Sequence, residues 1–312
     1  MNESFYSIVI PVYNSEQCLS ELVERIDYTF SSYGWKYEII FINDHSTDNS
    51  LEIIKQISNC NSNIKYISFR KNYGQHSALL AGFRCVAGNY IITMDDDLQN
   101  PPEEIPKLIK AIQETNYDII FAKFEEKRHS LYRRLGSKVI KWLNERIFDK
   151  PKNIVLSNFR IIKREIVDEV IISNTPNVYL PGLLLMTTNN CGNIVTKHDK
   201  RKHGKSNYTF KKLFKLVRAL VFVFSDFSLK IIIKIGLFFS IIGFILSGVV
   251  ILKDLIMGSK IQGWTSTIFV ISVFSSINLL VSGVLGEYLL IILKSVNSEK
   301  QYVIKETNIR NK

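Results

Sequence analysis

Apolar positions along the chain follow two different periods before giving way to long uninterrupted runs. Between residues 7 and 124, short and almost wholly apolar runs alternate with stretches of helical period. The runs at 7–12, 37–43, 64–69, 90–94 and 118–124 read as strands, and the segments near 16–31, 48–58, 76–86 and 102–114 read as helices. Strands apolar on both faces and separated by helices predict an α/β fold with a mostly parallel sheet covered on both sides. Ligands of such folds bind beyond the carboxyl ends of the strands. The residues to inspect are therefore Tyr13-Asn14, Asp44-His45, 70–74 and 95–99.

Further on, 130–148 has apolar residues at helical spacing with basic residues between them. A strand at 159–162, a helix at 164–172 and a strand at 193–197 are expected to follow. Residues 209–230 are aromatic, basic and apolar, a composition suited to a membrane interface. Two long apolar runs then appear, 231–252 with Lys234 as its one charge and 264–293 with Glu287 as its one charge. At about 1.5 Å rise per residue each can cross a hydrocarbon core of ~30 Å. Two buried core helices are the competing reading, which these lengths disfavour. The expected organisation is a catalytic domain over 1–208, a juxtamembrane segment over 209–230, a two-helix transmembrane hairpin over 231–293 and a basic tail over 294–312.

Charge refines this picture. The chain carries 40 Lys and Arg against 29 Asp and Glu, a net +11. Nucleic acid, an anionic membrane surface and phosphorylated substrates all suit such a balance. The basic residues cluster before the first run (Lys200, Arg201, Lys202, Lys205, Lys211, Lys212) and after the second (Lys294, Lys300, Lys305, Arg310). Basic flanks mark the cytoplasmic side of membrane spans, so both ends of the hairpin are expected there. No nucleic-acid-binding motif accompanies the charge. The four cysteines have neither the spacing of a zinc site nor that of a disulfide scaffold, and no leader peptide is recognisable at the N-terminus.

Asp95-Asp96-Asp97 directly follows the strand run 90–94. Three adjacent carboxylates repel one another unless a cation or solvent compensates. Asp-x-Asp spacing lets Asp95 and Asp97 converge on a hard ion, Mg²⁺ or Mn²⁺, which also accepts diphosphate oxygens. A solvated acidic turn is the bland alternative. The continuation Leu98-Gln99-Asn100-Pro101-Pro102-Glu103-Glu104, with prolines and acids opening a helix, argues against it.

Four groups of residues together resemble the inverting glycosyltransferase family 2. They are Ile10-Pro11-Val12-Tyr13-Asn14, Asn43-Asp44-His45-Ser46-Thr47-Asp48, Asn72-Tyr73-Gly74-Gln75-His76-Ser77-Ala78, and the acidic stretch 95–104. Arg201-x-x-Gly204-x-Ser206-x-Tyr208 and Gly283-x-x-Gly286-Glu287-Tyr288 narrow the resemblance to polyisoprenyl-phosphate glycosyltransferases. These include bacterial undecaprenyl-phosphate sugar transferases and, more distantly, dolichol-phosphate mannose synthase. The resemblance runs from about 5 to 304 and implies a GT-A fold.

It also implies roles. Pro11, Tyr13 and Glu16 line the nucleoside end, and Asp44 belongs to the same nucleotide site. Asp95 and Asp97 form the metal–diphosphate motif, with Asp97 the more direct ligand. Gln99 lies near the sugar or the acceptor phosphate. Arg133 and Ser137, four apart and on one helix face, hold the acceptor phosphate. Arg201 and Ser206 match the loop leading to the interface helix, and Lys205 adds a phosphate contact.

This sequence departs from the family twice. Asn43-Asp44-His45-Ser46 replaces the usual Asp-Asp-Gly-Ser. Asn158, in Ser157-Asn158-Phe159-Arg160, replaces an Asp that is a candidate general base. A phosphate monoester, with its second pKa near about 6, is already largely a dianion at neutral pH. Such an acceptor needs positioning and charge shielding by Arg133, Ser137, Arg160 and Arg201 rather than deprotonation. The expected function is inverting sugar transfer from a nucleoside-diphosphate sugar, uridine-linked by family habit, to polyprenyl phosphate at a bacterial inner membrane. Competing readings are a polysaccharide synthase, which lacks its Gln-x-x-Arg-Trp motif here, and a catalytically silent scaffold, which has no reason to retain the triplet. A nicotinamide dehydrogenase is disfavoured because no Gly-x-Gly-x-x-Gly follows a strand. Ser282-x-x-x-Gly286 puts small residues on one helix face, a weak pointer to a homo-oligomer.

Overall fold

The computed structural model describes residues 4–124, 140–173, 178–199 and 300–309, with scattered positions between 234 and 292. The chain divides into two compact units, one of residues 1–209 with 299–312 and one of 210–298.

In the first unit, strands and helices alternate as the hydrophobic pattern predicts. The order is β1 (Phe5–Val12), α1 (Leu19–Tyr33), β2 (Lys36–Asn43), α2 (Ser50–Cys60), β3 (Ile64–Phe69), α3 (Gln75–Phe83) and β4 (Tyr90–Thr93). A 3-10 turn (Pro102–Glu104) leads into α4 (Ile105–Glu114) and then β5 (Ile119–Phe124). After a helical stretch at 140–147 come β6 (Arg160–Lys163), α5 (Arg164–Ile172), α6 (Leu180–Thr187), β7 (Cys191–Thr196) and β8 (Ile304–Thr307).

The eight strands form one sheet in the order β7-β5-β6-β4-β1-β2-β3-β8. β6 runs antiparallel to β4 and β5, and β8 antiparallel to β3; the remaining pairings are parallel. This is an α/β, GT-A-like domain with a mostly parallel sheet. β1 and β2 are buried along almost their whole length, as strands covered on both faces must be. α1 turns Leu19, Leu22, Ile26 and Phe30 into the core, a spacing of three and four that keeps them on one helix face. Where α3 crosses the sheet, a Cβ on Gly82 would lie 2.4 Å from Val9 Cγ1 and 2.8 Å from Ile42 Cδ1. Only glycine lets the helix approach that closely.

Pro11 sits inside a central strand, where a missing N–H normally breaks a ladder. β4 pairs with β1 only from Tyr6 to Val9, so Pro11 lies beyond that ladder and its lost donor goes unneeded there. The sheet opens at this point, between the carboxyl ends of β1 and β4.

Two elements differ from expectation. Sequence reading gives no helix at 180–187, and it gives 294–312 as a basic tail. Within that tail, β8 pairs with the outer edge of β3. Arg133, Ser137, Arg201, Lys205 and Ser206 lie outside the described residues, as do the whole of the expected interface segment and most of the hairpin. Among the described residues no helix is long and apolar enough to cross a membrane.

Candidate active site

Strand order reverses between β1 and β4, and the acidic triplet follows β4 at this crevice. In doubly wound sheets that crevice is where ligands bind. The three carboxylates point to different duties. Asp96 accepts the Tyr13 N–H at 3.2 Å, tying the triplet to the loop after β1. Asp97, buried, accepts the Gln99 N–H at 3.1 Å and closes a tight turn. Asp95 accepts Gln75 Nε2 from the first residue of α3, and Asn158 Nδ2 at 3.5 Å.

Burial pushes the Asp95 carboxyl up to about 7, with repulsion from Asp97 and then Asp96 adding to it. Burial also raises Asp96 to about 6, against hydrogen bonds from Ser15 and the Tyr13 amide. A site that costs this much to ionise is poised to accept a cation. Among the described residues no three His, Cys, Asp or Glu side chains are grouped to hold a metal. Asp95 and Asp97 would supply two oxygens to a hard ion bound there, which takes about six or more in all.

Backbone strain gathers at the same end of the sheet. Asn14, His45 and Leu98 have φ of 54°, 60° and 59°, a left-handed conformation that costs non-glycine residues of order 1–2 kcal/mol. Each follows the carboxyl end of a strand, β1, β2 and β4 respectively. The Gly that the family carries at the position of His45 is explained by this angle.

The residues expected at the nucleoside end lie in the loops after β1 and β2, each with its own contacts. Tyr13 is 43 % exposed at the mouth of the crevice. Glu16 accepts the Asn49 N–H at 2.8 Å, and Asp48 accepts the Glu16 N–H at 3.1 Å, joining the loops after β1 and β2. Asp44 accepts the N–H groups of Tyr73 at 2.7 Å and Gly74 at 2.8 Å. Burial raises its carboxyl and these two bonds work against that rise. Gly74, at φ 87° and ψ 160°, occupies a region essentially closed to other residues, which lets its amide face Asp44 at the start of α3.

Arg160 opens β6 opposite Thr93 and is fully buried, and among the described residues none of its three guanidinium nitrogens has a hydrogen-bond partner. Burial lowers it to about 10, while Asp95 and then Tyr179 favour its charge. Its cation lies 5.9 Å from the centre of the Phe121 ring. His76, whose Nδ1 is also buried without a hydrogen-bond partner among the described residues, is pushed down to about 4 by burial and then by Arg160. The β6 start is pinned beside the triplet by Thr93 Oγ1, which donates to the Asn158 carbonyl. Gln99 turns the other way, accepting the Asp199 N–H on its carbonyl at 2.9 Å. The chain thus leaves β7 beside the triplet on its way to Lys200 and Arg201.

Sequence reasoning missed Gln75, His76 and Tyr179 as neighbours of the site. Gln75 stands directly after Gly74, in a motif that carried the family resemblance, and that place was the available signal. Nothing in the sequence marks Tyr179.

An acidic triplet and a buried arginine at the switch point of a GT-A-like sheet define a domain built to handle anionic substrates. Residues 7–171, more than half of the chain, match the family description Glycosyl transferase family 2. The chain belongs to this family and is a glycosyltransferase. Similar solved structures include glucosyl-3-phosphoglycerate synthase from Mycobacterium tuberculosis in complex with Mn²⁺, uridine diphosphate and glucosyl-3-phosphoglycerate. That structure is 16% identical over 70% of this chain and 77% of its own, with a TM-score of 0.49. Another structure of the M. tuberculosis enzyme is 17% identical over 70% and 78%, with a TM-score of 0.48.

Proposed function

We propose that this glycosyltransferase moves a sugar, with inversion, from a nucleoside-diphosphate sugar to a polyprenyl phosphate at a bacterial inner membrane. The observation that carries the reading is the pairing of an acidic triplet with Arg160, a buried guanidinium whose donors have no hydrogen-bond partner among the described residues. One group suits a diphosphate with its counter-ion, the other an incoming anion. An enzyme joining two phosphorylated substrates needs both.

Asp95 and Asp97 would hold Mg²⁺ or Mn²⁺, which when bound stabilises charge on the departing diphosphate. Tyr13, Glu16 and Asp44 belong to the nucleoside end in this reading. Asn158 cannot take a proton, which favours an acceptor already ionised. Arg160 shields that acceptor's charge, with Arg133, Ser137, Arg201, Lys205 and Ser206 as its further contacts. The electrostatic contribution of such groups is largest where they are buried, as Arg160 is.

A lipid acceptor is favoured by the runs 231–252 and 264–293 and their basic flanks. Described positions between 234 and 292 are helical, and Phe238, Ile245, Ile256, Ile271, Leu289 and Ile292 are exposed there by more than half. Apolar side chains presented outward along helices suit a hydrocarbon surround.

Purified full-length protein should be given polyprenyl phosphate, a divalent cation and a panel of nucleotide sugars. One of them should yield a glycolipid, and excess chelator should stop the reaction. Unaltered turnover in chelator would remove the metal from Asp95 and Asp97. Transfer only to a water-soluble acceptor would remove the lipid.

A further inference from the structure

We propose that the C-terminal segment 301–307, which ends in strand β8, positions the nucleotide end of the site, with Tyr302 as its contact residue; this rests on the reading of Asp44 as part of that end. The Tyr302 ring stacks on Phe69 at 5.1 Å between centroids and 14° between planes. Phe69 in turn meets Tyr73 edge-on at 5.6 Å. Tyr73 and Gly74 give Asp44 its two amide hydrogen bonds, and Asn72 Nδ2 donates to the Asp44 carbonyl at 3.1 Å. The loop 70–74 is also held directly, since Arg70 N–H donates to the Val303 carbonyl at 3.0 Å. Residues at the far end of the sequence thus form the floor under the loop that fixes Asp44.

Tyr302 is itself fastened. Arg84 Nη1 donates to its hydroxyl at 2.8 Å, Arg84 Nη2 to Gln301 Oε1 at 2.7 Å, and the guanidinium lies 5.3 Å from the ring centre. A register shift between Ser68 and Phe69 interrupts the β3–β8 ladder at the point where the rings stack. Irregularities of this kind re-aim side chains at functional ends of sheets. Beyond it, β8 is held by separate contacts, among them Glu306 with Lys55 at 3.1 Å and Asn308 Oδ1 with the Tyr66 N–H at 2.8 Å.

Covering the exposed edge of β3 is a sufficient structural role for β8, and the two roles separate experimentally. If β8 only covers an edge, loosening it at Glu306 or at Tyr302 has the same consequence. If it positions the loop, only Tyr302 matters to Asp44 and to nucleotide.

The test uses full-length protein in detergent. Hydrogen exchange is read over 70–75 without ligand, and binding of UDP and GDP is then titrated calorimetrically. Tyr302→Ala should speed exchange at 70–75 and weaken nucleotide binding by about three- to tenfold, the weight of one aromatic pair. Tyr302→Phe, which keeps the stack, should stay within about twofold of wild type, well inside one pair's weight. Glu306→Ala should change neither quantity. Unaltered exchange in Tyr302→Ala overturns the proposal, as does faster exchange with undiminished affinity. Wild-type protein that binds neither nucleotide would sink the assignment of Asp44 and this inference with it. Correct nucleotide binding without glycolipid formation would instead count against the proposed acceptor alone.

Discussion

Arg160 is kept where a guanidinium is costly. It is fully buried, its nitrogens have no hydrogen-bond partner among the described residues, and its favourable charge interactions come from Asp95 and Tyr179. A buried guanidinium without hydrogen bonds carries a desolvation cost that an apolar side chain of similar volume does not. Arg160→Met should therefore leave the midpoint of urea unfolding unchanged or higher while reducing transfer by at least about a hundredfold, the weight of a lost electrostatic contact in an active site. Unfolding of that variant would make Arg160 a structural residue. A second prediction concerns His45, exposed and left-handed. His45→Val should cost about 1–2 kcal/mol in the same melts, because a β-branched side chain tolerates that conformation poorly. His45→Gly should cost nothing or stabilise slightly.

At the scale of elements, the parallel core was legible because β1 to β5 are largely apolar and α1, α2 and α4 between them are amphipathic. α6 was not, since Leu180 to Leu185 are buried throughout and a helix apolar all round has no period to read. β8 was not either. It is four residues long and mostly exposed, and its partner β3 lies more than 200 residues earlier. Asp95 to Asp97 could be found from their place after a strand and Gln75 from its place after Gly74, whereas Tyr179 reaches the site through folding alone. One contact between elements carries a pH signature. Arg25 Nε and Nη2 bind both oxygens of Glu103 at 2.8 and 2.7 Å, joining α1 to the turn after the triplet. The hydrogen bond from Arg25 holds the Glu103 carboxyl below its ordinary value. A depressed value adds stability above the unfolded pKa and loses it as pH falls through the folded one. Arg25→Ala should thus cost about 0.5 kcal/mol near pH 7, the scale of a partly exposed pair, and nothing near pH 2. An equal cost at both pH values would assign the loss to packing.

The whole molecule joins a GT-A-like domain to a segment rich in apolar residues, and the chain returns from that segment to complete the sheet. Nothing in β1 to β7 needs a membrane; the case for one lies in the composition of 231–293 and in the basic residues on either side. The central claim is that the triplet and Arg160 serve transfer between two phosphorylated partners, one of them a lipid. The most direct measurement compares nucleoside diphosphate released with lipid-linked sugar formed, using full-length protein with and without polyprenyl phosphate. The account predicts equal amounts of the two products, release that depends on the lipid, and neither product from Asp97→Ala. Release at the same rate without lipid, or undiminished transfer by Asp97→Ala, would contradict it.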